Sequence, residues 1–137
     1  MANWLFKSEP EAFSWQRLRK EGRTNWDGVR NYQANNNMKA MKVGDRGFFY
    51  HSVSEKRIVG VVEVIGTWRP DPSDKSGRFG MVTLKPVADF HDPVTLEAIK
   101  DEPSLKDLPL LRQARLSVMP IPAPAWKKIC ALGGVKA

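Results

Sequence analysis

The sequence predicts an α+β fold: a small twisted β-barrel of five to six strands, flanked by short helices packed over its openings. Three observations predict it. Short apolar or aromatic runs recur at 3–7, 47–52, 58–68, 79–90 and 116–121, each bounded by Gly, Pro, Asp or Ser. Helix start and stop signals occur between them rather than in strict alternation with them. No run is long and regular enough for a doubly wound parallel sheet. The 137 residues read as one domain, 1–137.

Taken in order, Asn3 to Lys7 is a first strand that ends at Ser8-Glu9-Pro10. A short helix follows, with Ser14 as its cap, Phe13 placed to staple onto Leu18, and Gly22 as its stop. Asn31 to Met41 fits a second helix with Ala34, Met38 and Met41 on one face. Its asparagines at 35–37 are poor helix formers, so tertiary contacts must hold it. Val43-Gly44-Asp45 is a turn into a strand at Gly47–Ser52. Ile58 to Trp68 is apolar on both faces except at Glu63, the pattern of a strand covered on both sides. Residues 69–77 form a loop rich in Pro and Asp. Phe79 to Phe90 is a long strand broken or bent at Pro86. Pro93 to Asp101 fits a short helix, and Ser104 to Arg112 a turn with a helical fragment broken by Pro109. Leu116 to Ile121 is the last strand. The closing helix starts at Pro124 and stops near Gly133, with Trp126, Ile129 and Cys130 as its apolar stripe.

Composition narrows the function classes. A single cysteine excludes an internal disulfide framework and fits a reducing compartment. No apolar stretch reads as a signal peptide or a membrane span. The expected location is cytoplasmic, or nuclear in a eukaryote. The net charge of +7 fits an anionic partner such as nucleic acid. Residues 1–60 carry 11 Lys and Arg against 6 acidic residues, so most of the excess lies in the first half. No Gly-rich phosphate loop is present. His51 and His91 have no metal-like partner at helical spacing, and the zinc deaminase signature is missing. No cofactor and no metal are expected. Cys130 reads as a buried hydrophobe.

Three segments carry polar, planar chemistry: "FKSEP", "NWDGVRNYQ" and "FFYHS". Singly each has a plain structural explanation, as a strand-end turn, a core-plugging ring and a strand rim. Together they hold what a nucleobase needs. An aromatic ring stacks on its face, worth roughly 1–3 kcal/mol per base. Amides and carboxylates read its edge, while Arg and Lys hold phosphate. Trp26 is the stacking candidate, set in a polar turn four residues before Arg30.

"NWLFKSEP", "WDGVRNYQANNNM", "KVGDRGFFYHS", "IVGVVEV" and "RLSVMPI" together resemble the EVE domain family over nearly the whole chain. The resemblance implies a PUA-like fold, close to the YTH and ASCH domains. It also implies a non-catalytic reader of modified nucleobases, chiefly modified cytosine in DNA, with RNA as the other possible partner. In YTH domains a flipped modified base enters an aromatic cage. One cage Trp lies after the first helix, matching Trp26, and a Lys-Ser pair leaves the first strand, matching Lys7 and Ser8. The next residue there is usually Asn and here is Glu9, an acceptor suited to an exocyclic amine. On this reading Ser8, Glu9 and Asn31 meet the base edge, with Tyr50, His51 and Ser52 on the far wall and Trp68 as a second cage wall. Lys7, Arg30 and Arg115 hold phosphate. A monomer is expected. Two alternatives stay open: an RNA-binding accessory protein without modified-base preference, and an enzyme on a modified base or nucleotide with Glu9 and His51 as its acid–base pair.

Overall fold

The computed structural model describes residues 2–137. Its strands are β1 (Asn3–Ser8), β2 (Thr24–Trp26), β3 (Arg46–His51), β4 (Arg57–Pro70), β5 (Gly80–Thr95) and β6 (Val118–Pro120). They form one sheet in the order β2-β5-β4-β3-β1-β6, curled into a half-barrel with β2 and β6 at its edges. Only β1 and β3 run parallel. The helices are α1 (Trp15–Glu21), α2 (Tyr32–Lys39), α3 (Leu96–Asp101), α4 (Pro109–Arg112) and α5 (Ala123–Gly133). No helix among the described residues is long and apolar enough to cross a membrane.

The local signals explain most element ends. The Ser14 hydroxyl accepts from the Arg17 N–H, and Gly22 takes the left-handed conformation (φ 81°) that closes α1. Asn31 caps α2 by accepting from the Ala34 N–H. The parallel register of β1 and β3 pairs Phe6 with Phe49, Lys7 with Tyr50 and Ser8 with His51. Because side chains alternate along a strand, this register sorts them onto two faces. On one face Phe49 packs against Trp15 and Trp26, with ring centroids 5.3 and 5.9 Å away. On the other, Phe48 stacks on Trp126 of α5 at 3.9 Å, with the rings 13° from parallel.

Four element predictions need correction. Thr24 to Trp26 is a strand paired with β5, not a turn. Three residues are too few to show an alternating pattern, and the pairing is supplied by a partner almost sixty residues away. β5 runs through Pro86 as far as Thr95. Val61 lies opposite Ala88 and Val62 opposite Pro86, so Val87 is an extra residue that bulges the strand instead of ending it. The next helix therefore starts at Leu96 rather than Pro93, capped by the Thr95 hydroxyl. Pro109 opens α4 rather than breaking it, since its missing N–H is harmless in a first turn.

Candidate functional site

β1 and β3 end side by side, and the site starts from that end. The buried His51 accepts the Trp15 backbone N–H at Nε2 (3.0 Å), so its proton sits on Nδ1 and is donated to Glu55 (2.9 Å). The His51 bond is the main reason the Glu55 carboxyl lies below its usual range. Desolvation opposes it, and Arg57 adds to the lowering. His51 thus fixes the start of α1 against β3. Both ring nitrogens are engaged, and no hydrogen bond joins His51 to Glu9 among the described residues.

α1 and β2 enclose a cavity of about 420 Å³ against Ser8. Trp26 and Phe13 stand on the same buried ring, Phe49, at 5.9 and 6.4 Å. Trp26 also meets Phe6 edge-on at 5.3 Å. The half-buried indole is therefore braced by the core on one side and lines the cavity on the other. Its Nε1–H has no protein partner among the described residues. The Ser8 hydroxyl donates to the Phe13 carbonyl at 2.5 Å, which ties the Phe13 wall to the end of β1. Arg17 lies 5.2 Å over the Phe13 ring and pairs with Glu21 at 2.7 Å. Asp27, exposed at the rim, has no ion pair among the described residues. Two aromatic surfaces, an indole donor, acceptor carboxylates and a guanidinium suit a flat heteroaromatic ring with a donor edge.

Lys7, Glu9, Tyr50 and Ser52 do not join Trp26. With Arg115 they line a second cavity of about 490 Å³. Period-two alternation separates Ser8, which lines the first cavity, from its strand neighbour Lys7, which lines the second; Glu9, just past the end of β1, lines the second as well. Lys7 donates to the Ala114 carbonyl at 3.1 Å, and partial burial lowers its pKa. Burial pushes the Tyr50 phenol up to about 12.

Three further candidates are engaged in holding the fold. Arg30 reaches Asp71 (3.3 Å) and Ser73 (3.0 Å) and lies 5.8 Å over Phe79. Burial alone would raise the Asp71 pKa. Hydrogen bonds from the Gly28 N–H, Ser73 and Arg30 outweigh it and bring the value to about 2. The Asn31 side chain is occupied as the α2 cap. The Trp68 indole donates to Asn35 at 2.8 Å under the Lys39 ammonium, 4.7 Å from the ring. Asn35 also receives the Gly80 N–H and donates to the Arg78 carbonyl, while Asn37 donates to the Val118 carbonyl. Much of the amide around α2 thus pins that helix to the sheet and the 71–79 loop.

Phe13, Arg17, Thr24 and Asp27 line the first cavity without standing out in the sequence as site residues. The one available signal is spacing. Phe13 and Arg17 flank the Ser14 cap, which faces them toward the end of β1.

A sequence model of the EVE domain matches residues 2–132. Thymocyte nuclear protein 1 of Gallus gallus is 35% identical over 87% of this chain, and the match spans 63% of that protein's length, less than two thirds. The NMR structure of a Rhodopseudomonas palustris protein superposes with a TM-score of 0.93 at 46% identity, covering 98% of this chain and 94% of that one. Human thymocyte nuclear protein 1, crystallised in complex with DNA containing 5-methylcytosine, superposes with a TM-score of 0.91 at 30% identity over the whole of both chains.

Proposed function

The chain belongs to the EVE domain family, and from that membership we propose that it is a non-catalytic nucleic-acid-binding module that takes a modified base, a 5-substituted cytosine, into the Trp26 cavity. The observation that carries the reading is the half-buried indole of Trp26, braced on Phe6 and Phe49 and lining a cavity beside Phe13 with its N–H unused. The human relative crystallised with 5-methylcytosine DNA supports the choice of base.

Each group then has a role. Trp26 stacks on the base, and Phe13 closes the other side. Asp27 accepts from the exocyclic amine of cytosine, the role the sequence reading gives to Glu9. Ser8 and His51 act indirectly, by fixing Phe13 and the first turn of α1. Arg17 stands at the rim, where a phosphate of the extruded nucleotide passes. Extrusion costs a few kcal/mol, and stacking returns roughly 1–3 kcal/mol. The phosphate contacts must supply the rest, and they lend the affinity a salt dependence. His51 spends both ring nitrogens on the fold, which favours binding over catalysis.

The test is a panel of oligonucleotides that differ in one base. Tighter binding of the 5-methylcytosine member than of its cytosine twin is expected, and equal affinity across the panel would contradict the proposal.

A further inference from the structure

On the proposed function, the second cavity is left free by the base. Tyr50 is 3% exposed and lines the cavity, and its hydroxyl has no hydrogen-bond partner among the described residues; none of their buried side-chain polar atoms is left unpaired, so this hydroxyl is open to solvent on the cavity side. The ring is packed away while the hydroxyl stays free to donate to a ligand in the cavity. The surroundings say what kind of partner fits. Lys7, held by one bond to the Ala114 carbonyl, keeps two ammonium donors. Arg115 lines the same cavity and has no ion pair among the described residues, and Lys56 stands at its edge. One carboxylate, Glu9, faces these three cations. Ser52 and Ser117 add hydroxyls, and Leu110 and Leu116 give one wall an apolar surface.

We propose that this cavity is a second binding site, independent of the Trp26 pocket, for a phosphate ester. Tyr50, Lys7 and Arg115 hold the phosphate oxygens, and the carbon part of the ester lies against Leu110 and Leu116. All three groups donate, and a phosphate accepts at every oxygen, so donor-rich lining and ligand match. The Tyr50 phenol, raised to about 12 by burial, stays protonated and donating at neutral pH. The ester can be a phosphodiester of a bound strand or a free mononucleotide; both offer the same chemistry.

The experiment uses ¹⁵N-labelled protein carrying Trp26→Ala, so that the base pocket does not contribute. Backbone amide shifts are followed during titration with inorganic phosphate, cytidine 5′-monophosphate and an unmodified single-stranded oligonucleotide. The monophosphate or the oligonucleotide should move the amides of Lys7, Ser52 and Ser117. Adding Tyr50→Phe or Arg115→Ala should weaken that binding at least about fivefold, and unchanged spectra elsewhere check the fold. If the oligonucleotide saturates these amides at lower concentration than the monophosphate, the phosphate belongs to a strand; the reverse order assigns a free ligand. No movement with any probe would overturn the proposal. So would movement with inorganic phosphate alone, or movement that neither substitution weakens. Loss of base preference in a Trp26→Ala oligonucleotide assay leaves this result untouched, so the two proposals fail separately.

Discussion

Replacing Trp26 by alanine separates a stacking surface from a core plug, because the indole is half in each environment. Deleting a fully buried Phe or Trp costs about 3–5 kcal/mol. Trp26 keeps part of its surface outside the core but loses two edge-on aromatic contacts, to Phe6 and Phe49, each worth about 0.5–1.5 kcal/mol. The expected loss of stability is therefore intermediate, about 2 kcal/mol. For a chain of this length that is a fall of roughly 6–10 °C in Tm. Binding to a 5-methylcytosine oligonucleotide should fall separately by about 1–3 kcal/mol, or about 5- to 150-fold in Kd. Trp26→Phe, which keeps a flat ring, should recover much of the affinity. Thermal melts and binding titrations on the same preparations read both quantities, with binding measured well below the variant's Tm. A folded Trp26→Ala protein that binds as tightly as the unmodified chain would refute the reasoning.

Salt dependence should be shallow, since each phosphate contact contributes about 0.7–0.9 to the slope of log affinity against log salt. Arg17→Ala should lower that slope by about one such unit, whereas Arg30→Ala, whose guanidinium is committed to Asp71 and Ser73, should leave it unchanged; an equal effect from both would contradict these placements. Asp71 has its pKa lowered from 3.8 to about 2 in the folded state, so its stabilising contribution is complete above about pH 4 and is lost as pH falls through 2. Asp71→Asn should cost about 1.5–3 kcal/mol at pH 7, the range for hydrogen bonds to a charged group, and the gap measured by urea unfolding should narrow between pH 4 and pH 2. A gap constant over that window would show that the Asp71 charge is not what matters. Gly60→Ala would set a Cβ 2.3 Å from the Trp15 ring and should destabilise by about 1–3 kcal/mol through overpacking; an unchanged melting curve would show that Trp15 has room to move.

The parts of the fold that were legible are those set by neighbours in sequence. Ser14 and Gly22 cap and stop α1 through bonds to residues at most four positions away, and such signals can be read from one chain; Asn31 caps α2 in the same way, although in the sequence it reads as a helical residue and a base-edge reader. β2 was not legible, because its reason for being a strand is the edge of β5. The asparagines of α2 illustrate the same limit. Their abundance suggests edge readers, but Asn35 is spoken for by Trp68, Arg78 and Gly80, all more than thirty residues away. For the site, residue type picked out Trp26 and the family resemblance added Ser8, and the two share a cavity. Lys7 and Ser8 do not face one ligand, because β1 runs on through Ser8, one residue past the strand read from the sequence, and alternation sends the two to opposite faces. Phe13 needed the folded chain, because its packing on Phe49 is what sets it beside Trp26.

On the proposed function, the modified base enters the cavity lined by Trp26 and Phe13. The most direct measurement is the set of intermolecular NOEs from the 5-methyl protons of a single 5-methylcytosine in a bound oligonucleotide. Cross-peaks to the indole protons of Trp26 and the ring protons of Phe13 are predicted. Cross-peaks to Tyr50 and Leu116 instead, or a methyl group that still shows the contacts of a base stacked within its own strand, would contradict the account.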